Sequence, residues 1–229
     1  MEGSGSSLEY KLKRSLKKVV YLVALCLVMP WALGERIARR FLGRDVWFSS
    51  HSEFLSLIPG KMGWFLRNAY LHLTLRQCPL SCCFLFGTLF THSEAEVGER
   101  VYMGARCVIG LVTIGNDTML GDHVHILSGM HQHSTTDPSK PFQEQPQMFT
   151  RVQIGENCWF GTGSIVMADV GPNCIIGAGS VVAKPIPANC VAVGNPARVV
   201  RTTALTVAAA DGTGAGPARW DNESETTPT

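Results

Sequence analysis

The sequence predicts a mainly β protein whose core is a three-sided parallel β-solenoid. One observation is a six-residue pattern of aliphatic, small, any, any, small, any, found at Ile154-Gly-Glu-Asn-Cys-Trp, Phe160-Gly-Thr-Gly-Ser-Ile and Ile176-Gly-Ala-Gly-Ser-Val. Another is that aliphatic residues recur at nearly the same spacing upstream, at Val97, Met103, Ile109, Ile114, Leu120 and Ile126. A six-residue period is too short for a helical repeat but fits one strand and one corner, so three units make one triangular coil.

Each six-residue unit assigns its side chains to the inside or the outside of the solenoid. The aliphatic residue is predicted to point inward, and the small residue four positions later is predicted to lie beside the corner. The glycine that follows the aliphatic residue is expected to ease the turn. Val166 and Val170 are closer together than the pattern requires, which indicates a tightened corner.

The cysteines follow this pattern rather than a disulfide framework. The small position is held by Cys107, Cys158, Cys174 and, if the repeat restarts at Ile186, by Cys190. Buried thiols behave as small apolar residues, so we expect reduced cysteines in a reducing compartment. The cysteines within residues 78–83 have no second cluster at zinc-site spacing, and we expect no metal there.

Composition divides the chain into four parts. Residues 1–50 form a basic and apolar N-terminal segment, residues 51–94 an apolar helical lead-in, residues 95–201 the solenoid, and residues 202–229 a tail that is predicted to be disordered. The repeats stop at an insertion, residues 131–153. A loop inserted in a regular solenoid is a common place for function.

The basic character of the chain is confined to its N-terminal segment. Residues 11–44 hold nine Lys and Arg against one acid, whereas the chain from residue 45 onward holds eleven basic and fifteen acidic residues. A nucleic-acid-binding domain would spread basic side chains over its folded face, so we expect no nucleic-acid partner.

The same segment contains a run without charge, residues 19–34, between two basic stretches. Sixteen residues are marginal for crossing a bilayer, which needs about 20. Basic flanks on both sides favour a segment that dips into or lies on the cytoplasmic face of the cell membrane. A cleaved signal peptide and a helix packed on the domain's own surface are the alternatives.

A histidine stands at the start of the insertion, in the sequence Ser128-Gly-Met-His131. Because imidazole has an unperturbed pKa of about 6.5, His131 could serve as a general base near neutral pH. A surface histidine without a role is the alternative from spacing alone, and His133 is the substitute base.

The C-terminal repeats carry a specific resemblance. The stretch from Trp159 through Lys184-Pro-Ile-Pro to Val193-Gly-Asn-Pro-Ala-Arg198-Val-Val-Arg201 resembles the hexapeptide-repeat O-acetyltransferases, which include galactoside, maltose, serine and nodulation acetyltransferases. Ser128-Gly-Met-His131 is similar to the colanic-acid type of polysaccharide acetyltransferase. The resemblance covers roughly residues 95–201.

The resemblance implies a left-handed parallel β-helix, a homotrimer, and acetyl-CoA bound in the groove between subunits. It implies that His131 is the catalytic base, which takes the proton from a sugar hydroxyl as that oxygen attacks the thioester. Arg106 stands where sugar-specific members carry an acceptor-binding asparagine, which argues against a simple galactoside acceptor, and Arg106 and His133 are the candidate substrate-binding residues. The implied cofactor-binding residues are Trp159, Thr162, Ala178, Lys184, Arg198 and Arg201.

These features together predict an acetyl-CoA-dependent O-acetyltransferase that modifies a sugar of a cell-surface or exported polysaccharide, or its lipid-linked precursor. We expect a cytoplasmic enzyme that is peripheral or monotopic on the inner face of the membrane and contacts it through residues 11–44. Two other classes stay open. They are a zinc carbonic anhydrase, for which the histidines at 123, 125, 131 and 133 are numerous enough, and a non-catalytic repeat scaffold.

Overall fold

The computed structural model describes residues 4–41 and 45–202, with side chains from residue 15 onward. Three helices come first: α1 (Ser4–Phe41), α2 (Val46–Ser56) and α3 (Gly60–Thr74). The N-terminal helical extension expected from the sequence is therefore present, and α2 already begins inside the segment predicted as residues 1–50. The predicted disordered tail lies, from residue 203 onward, outside the described residues.

The rest of the described chain winds into a solenoid with three faces, each a stack of short parallel strands. Face 1 consists of β1 (Cys83–Phe84), β4 (Tyr102–Met103), β7 (Met119–Leu120), β10 (Trp159–Phe160), β12 (Ile175–Ile176), β14 (Cys190–Val193) and the antiparallel edge strand β15 (Arg198–Thr202). Face 2 consists of β2 (Leu89–Phe90), β5 (Val108–Ile109), β8 (His125–Ile126), β11 (Ile165–Val166) and β13 (Val181–Val182). Face 3 consists of β3 (Glu96–Val97), β6 (Val112–Ile114) and β9 (Val152–Ile154). This arrangement of parallel sheets fits the predicted left-handed β-helix.

The inward positions are those that the six-residue pattern predicted. Every predicted inward aliphatic residue from Val97 to Ile176 is buried, with at most 3% of its surface exposed. The small positions are buried as well, and the four cysteines assigned to them are buried free thiols. Val170 is only four residues after Val166 but still lies on face 3, where it forms parallel bridges with Ile154 and Ile186.

The glycine after each inward residue was expected to ease the turn, but the corners turn at another position. The residue with positive φ is the third after the inward residue, and it is a glycine at only some corners. At others it is Arg100, Arg106, Asp117, His123, Asn157, Asn173 or Asn189. The glycine directly after the inward residue is required for close stacking instead, since a Cβ on Gly161 would lie 2.4 Å from the amide nitrogen of Ala178 in the next coil.

The solenoid also begins earlier than residue 95. Phe84 and Phe90 are fully buried, stand six residues apart and pack edge to face with ring centroids 5.6 Å apart. They are the inward residues of a first coil that was predicted as part of the helical lead-in. At the other break, β9 starts at Val152, so the coil resumes two residues before Ile154, where the repeats were predicted to restart.

The outer surfaces of the three faces differ in polarity. Face 3 carries polar side chains outward, at Glu96, Thr113 and Gln153. Face 1 carries mainly apolar ones, including the exposed Tyr102, Met119 and Trp159. Face 2 is apolar as well except at His125, with Leu89, Val108, Ile165 and Val181 outward. Two of the three faces thus present apolar columns.

Candidate active site

A cavity of about 300 Å³ lies along the corner between face 1 and face 2. Three of the predicted cofactor-binding residues, Trp159, Thr162 and Ala178, line it together. The other lining residues, which the sequence analysis did not single out, are Gly121, Gly161, Ile175, Ile176 and Gly177. The repeat pattern could have identified them. Ile176 is an inward residue and Ile175 is the outward residue before it. Gly121, Gly161 and Gly177 each directly follow an inward residue.

The repeat shapes this cavity in two ways. Trp159 precedes the inward Phe160 on β10, so its indole points outward, and half of its surface is exposed. Gly161 and Gly177 carry no side chain, which leaves the backbone of successive coils open along the corner. The result is a shallow groove with one aromatic wall and a floor of backbone groups.

The predicted phosphate-binding cations are exposed and lie outside this cavity. Arg198 and Arg201 are on β15, which pairs with β14, and β14 pairs with β12 at the cavity. In that register Arg201 lies opposite Val191, which pairs with the cavity residue Ile175. Lys184 follows β13 on face 2 and is exposed too. The cations therefore stand toward the C-terminal end of the stack, beyond the groove.

The insertion has a narrow neck held by backbone hydrogen bonds. The amide of Thr150 donates to the carbonyl of Ser128 at 3.0 Å, and the amide of Met148 donates to the carbonyl of Gln132 at 2.9 Å. His133 forms an antiparallel bridge with Gln147 one step further out. These bonds fix where the loop leaves the solenoid, whereas the loop beyond the neck contains only a short 3₁₀ turn, Phe142–Glu144.

His131 lies in this neck and its side chain is exposed. It comes two residues after Gly129, whose φ is +83°, a conformation that only glycine adopts readily. A Cβ added at Gly129 would lie 2.9 Å from Cβ of Thr150. Ser128 is buried, and its hydroxyl accepts a hydrogen bond from the amide of Leu111 at 2.9 Å. The sequence Ser128-Gly-Met-His131 thus has a structural reason, because it anchors and turns the chain that presents the imidazole.

A single chain does not bring His131 to the cavity. The cavity follows the corner between faces 1 and 2, while the neck leaves the corner between faces 2 and 3. Arg106 lies on the same corner as the cavity but two coils before Trp159 and Thr162, in the left-handed conformation with φ of +57°. The cavity residues and the neck histidines His131 and His133 therefore form two groups, separated by the width of face 2. Lys184, which follows face 2, stands on the same corner as the neck.

The histidines considered as zinc ligands are spread over these elements. His123 is a corner residue with positive φ, His125 points outward from face 2, and His131 and His133 are in the neck. Among residues 4–41 and 45–202, no group of three or more His, Cys, Asp or Glu side chains is placed to hold a metal ion.

Comparison with known proteins was made for sequence and for structure. Residues 151–184 match the family described as bacterial transferase hexapeptide (six repeats). This match covers 34 of the 229 residues of the chain. A curated relative, nodulation protein L of Rhizobium leguminosarum bv. viciae, is 42% identical over 75 residues, which are 31% of this chain and 37% of that protein. The match thus spans about a third of the length of that relative.

Solved structures resemble this chain over a larger part of its length. A maltose O-acetyltransferase from Clostridium difficile 630 is 26% identical with a TM-score of 0.58, covering 69% of this chain and 86% of its own. A hexapeptide-repeat acetyltransferase from Vibrio cholerae O1 biovar eltor, complexed with acetyl coenzyme A, is 17% identical with a TM-score of 0.55, covering 67% of this chain and 86% of its own. The second likeness establishes the shared fold alone.

Proposed function

We propose that the chain is an acetyl-CoA-dependent O-acetyltransferase that transfers an acyl group to a sugar hydroxyl. The observation that carries this proposal is the groove lined by Trp159, Thr162 and Ala178, three residues that the family resemblance assigns to the cofactor. The names of the relatives support it, since one is a maltose O-acetyltransferase and another was solved with acetyl coenzyme A. The exposed cations beyond the groove suit the phosphates of the donor.

The proposed active form is a homotrimer of left-handed β-helices. Faces 1 and 2 carry apolar columns on their outer sides, and burying these columns against other subunits would remove apolar surface from water. Packing face 1 of one subunit near face 2 of the next would bring His131 of one chain to the groove of its neighbour. The separation of the two groups of site residues within one chain is then a consequence of assembly.

The chemistry proposed for this site is direct transfer without a covalent enzyme intermediate. The imidazole of His131 accepts the proton of the sugar hydroxyl as that oxygen attacks the thioester carbonyl. The carbonyl re-forms when the sulfur leaves, and the imidazolium returns the proton to the thiolate. Holding both substrates together supplies much of the rate, and general-base assistance contributes about 10²–10⁴-fold.

The acceptor proposed is a sugar of a cell-surface or exported polysaccharide or of its lipid-linked precursor. The support for it is the basic and apolar N-terminal segment, which suits an enzyme located on the inner face of the cell membrane. Mass spectrometry of cellular glycans with and without the gene tests this part. Loss of one acyl ester is expected, and an unchanged ester pattern would contradict the polysaccharide role.

His131→Ala tests the catalytic assignment. Acceptor-dependent release of CoA should fall by about 10²–10⁴-fold, while binding of CoA, measured by calorimetry, should stay unchanged. Gln143→Ala is the control, because it removes an exposed polar side chain from the same insertion, and it should keep most of the activity. Near-normal turnover of His131→Ala would discard the assignment, and a wild-type chain that binds CoA but transfers to no acceptor would favour the scaffold.

Ile165→Glu tests the assembly. It places a charge on the apolar column of face 2, and light scattering should show a shift from trimer to monomer. Thr113→Glu makes a similar change on the polar face 3 and should leave the trimer intact. A wild-type monomer, or a trimer that survives Ile165→Glu, would contradict the proposed packing.

A further inference from the structure

Helix α1 exposes an apolar side along most of its described length. The outward side chains include Leu16, Val19, Leu22, Val23, Leu27, Leu33, Ile37 and Phe41, each between 48% and 76% exposed. With the exposed Pro30 between Leu27 and Leu33, they recur mainly at intervals of three and four and form one continuous surface, here called the α1 stripe. A helix on the surface of a water-soluble domain normally turns polar side chains outward, so the α1 stripe requires a partner.

The opposite side of α1 is fixed to the folded domain. Small and aromatic residues at the same helical spacing, Tyr21, Ala24, Val28, Ala32 and Ala38, are buried. The Tyr21 ring packs edge to face on Phe65 of α3, with centroids 4.8 Å apart. Glu35 is 1% exposed, and its carboxylate accepts a hydrogen bond from Nε of Arg39 at 2.7 Å.

Charge around the α1 stripe is of one sign. The charged side chains exposed on α1 from residue 15 onward are Lys17, Lys18, Arg36 and Arg40, and they stand near the ends of the stripe. Between Lys18 and Glu35 the helix has no charged residue, and Glu35 itself is buried. An apolar surface bordered by exposed cations complements a bilayer that contains anionic lipids.

α2 extends this surface beside α1. Trp31 of α1 packs against Phe54 of α2, with ring centroids 5.6 Å apart, and Phe54 remains 57% exposed. Trp47 is also partly exposed and approaches α1 at Gly34. Tryptophan and other aromatic rings are favoured at the level of the lipid headgroups.

Length and composition alone would allow α1 to cross a bilayer. Ser15–Phe41 has 27 residues with a mean hydropathy of 1.8 over its most apolar window. Its packing argues against crossing, because the buried side runs from Tyr21 to Ala38, about 26 Å of helix, and contacts the domain throughout. A crossing helix would have to leave α3 and carry the Glu35–Arg39 ion pair into hydrocarbon, which is costly.

We infer that α1 lies flat in one leaflet of an anionic membrane, held by the α1 stripe, and does not cross it. The apolar side chains enter the boundary between headgroups and acyl chains, to a depth of about 5–10 Å, while the buried side stays attached to the domain. The inference is independent of the acyl-transfer chemistry, so its tests use the full chain without any acceptor.

The first test measures binding to vesicles by flotation. The wild-type chain should bind phosphatidylcholine vesicles that contain phosphatidylglycerol, and Leu22→Glu with Leu27→Glu should lower the partition coefficient by about a hundred-fold or more. Phe142→Glu with Met148→Glu is the matched control, since it makes the same changes at exposed apolar residues of the insertion and should not affect binding. A second copy is the other possible occupant of the stripe. A wild-type chain that binds no vesicles but changes its oligomeric state in the Leu22/Leu27 variant would overturn the inference.

The second test separates electrostatic from apolar attraction. Lys18→Gln, Arg36→Gln and Arg40→Gln together should weaken binding to the anionic vesicles by about ten-fold or more and leave binding to pure phosphatidylcholine unchanged. Equal losses on both kinds of vesicle would contradict the role given to the cations.

The third test measures depth through Cys26, which is exposed near the middle of the apolar segment. A fluorophore on Cys26, in a Cys83→Ser background, should be quenched more strongly by nitroxide lipids labelled near the headgroup than by those labelled near the chain end. A crossing helix would place Cys26 near the bilayer centre and reverse this order, which would overturn the flat orientation.

Discussion

The solenoid and the helices before it are held together by different kinds of contact. In the solenoid each coil repeats the same inward and small positions, so one pattern buries residue after residue from Phe84 to Ala192. The helices join the first coil through a non-repeating apolar cluster, which includes Phe48, Leu55 and Tyr70, and through individual polar side chains. Arg67 of α3 is 2% exposed and donates to the carbonyls of Leu55, Ser56, Ile58 and Phe84 at 2.9–3.3 Å.

Hydrogen bonds from two further residues, Ser52 and Asp45, connect the helical region to the first coil, a boundary here called the junction. The hydroxyl of Ser52 on α2 accepts a hydrogen bond from the amide of Phe90 at 3.1 Å. Asp45, just before α2, accepts bonds from both the amide and the hydroxyl of Ser93 and from the ring of His92. The comparison teaches that a repeated apolar contact leaves a period in the sequence, whereas single hydrogen bonds between distant residues leave none.

The largest expected effect is on the repeated core. Phe160→Ala removes a fully buried ring from the middle of face 1 and should lower the free energy of unfolding by about 3–5 kcal/mol. Urea denaturation at a fixed protein concentration measures this. Gln153→Ala, on the exposed side of face 3, is the control and should change stability by less than about 0.5 kcal/mol. Similar losses in both variants would mean that the buried inward side chains contribute no more to the free energy of unfolding than exposed ones.

The next effect concerns the junction. Arg67→Met keeps the inner part of the apolar stem but removes the donor of the Ile58 and Phe84 carbonyls, at about 1–3 kcal/mol for each group left unsatisfied, while the Ser56 carbonyl keeps the amide of Gly87. We expect a loss of about 3 kcal/mol, measured in the same denaturation experiment. Arg100→Met removes an exposed arginine that pairs with Asp117 and should cost less than about 1 kcal/mol. If the two variants lost equal stability, the junction would not depend on Arg67.

The smallest effect is the pH dependence contributed by Asp45. Burial raises the pKa of this carboxyl, but hydrogen bonds from His92 and Ser93 outweigh it and lower the pKa from 3.8 to about 2. A lowered folded-state pKa stabilises the protein above the unfolded value, and the contribution is lost as the pH falls from about 4 toward 2. Asn can adopt the positive φ of Asp45, so Asp45→Asn changes mainly the charge.

We expect Asp45→Asn to cost about 1–2 kcal/mol at neutral pH. The difference between variant and wild type should shrink as the pH falls from about 4 toward 2, because the carboxylate is protonated near pH 4 in the unfolded chain and only near pH 2 in the folded one. Thermal unfolding followed across this pH range measures it. A difference that stays constant down to pH 2 would show that the charge of Asp45 contributes nothing.

Sequence reasoning succeeded where the structure repeats and failed where it does not. The inward residues and the buried cysteines were predicted because each coil imposes the same requirement. The first coil was missed because Phe84 and Phe90 look like helix-packing residues until their burial is seen. The role of glycine was misjudged because the distance between stacked coils, not the turn, excludes a Cβ.

The candidate site shows the same division. The family resemblance was enough to select Trp159, Thr162 and Ala178, which line one cavity in the structure. Their relation to His131 did not follow from the motif, since face 2 lies between the cavity and the neck of the insertion. Which residues meet across a subunit boundary depends on how whole faces pack, and no spacing along the chain encodes that.

By itself the sequence determined the three-sided solenoid, because a six-residue period permits one strand and one corner and buries the same positions on every coil. The tertiary structure alone decided which way α1 faces and how the helices attach to the first coil. The physical reason is that helix orientation depends on contacts between residues far apart in the chain. Here these contacts buried the small residues and Glu35 of α1 and left its large aliphatic side chains exposed.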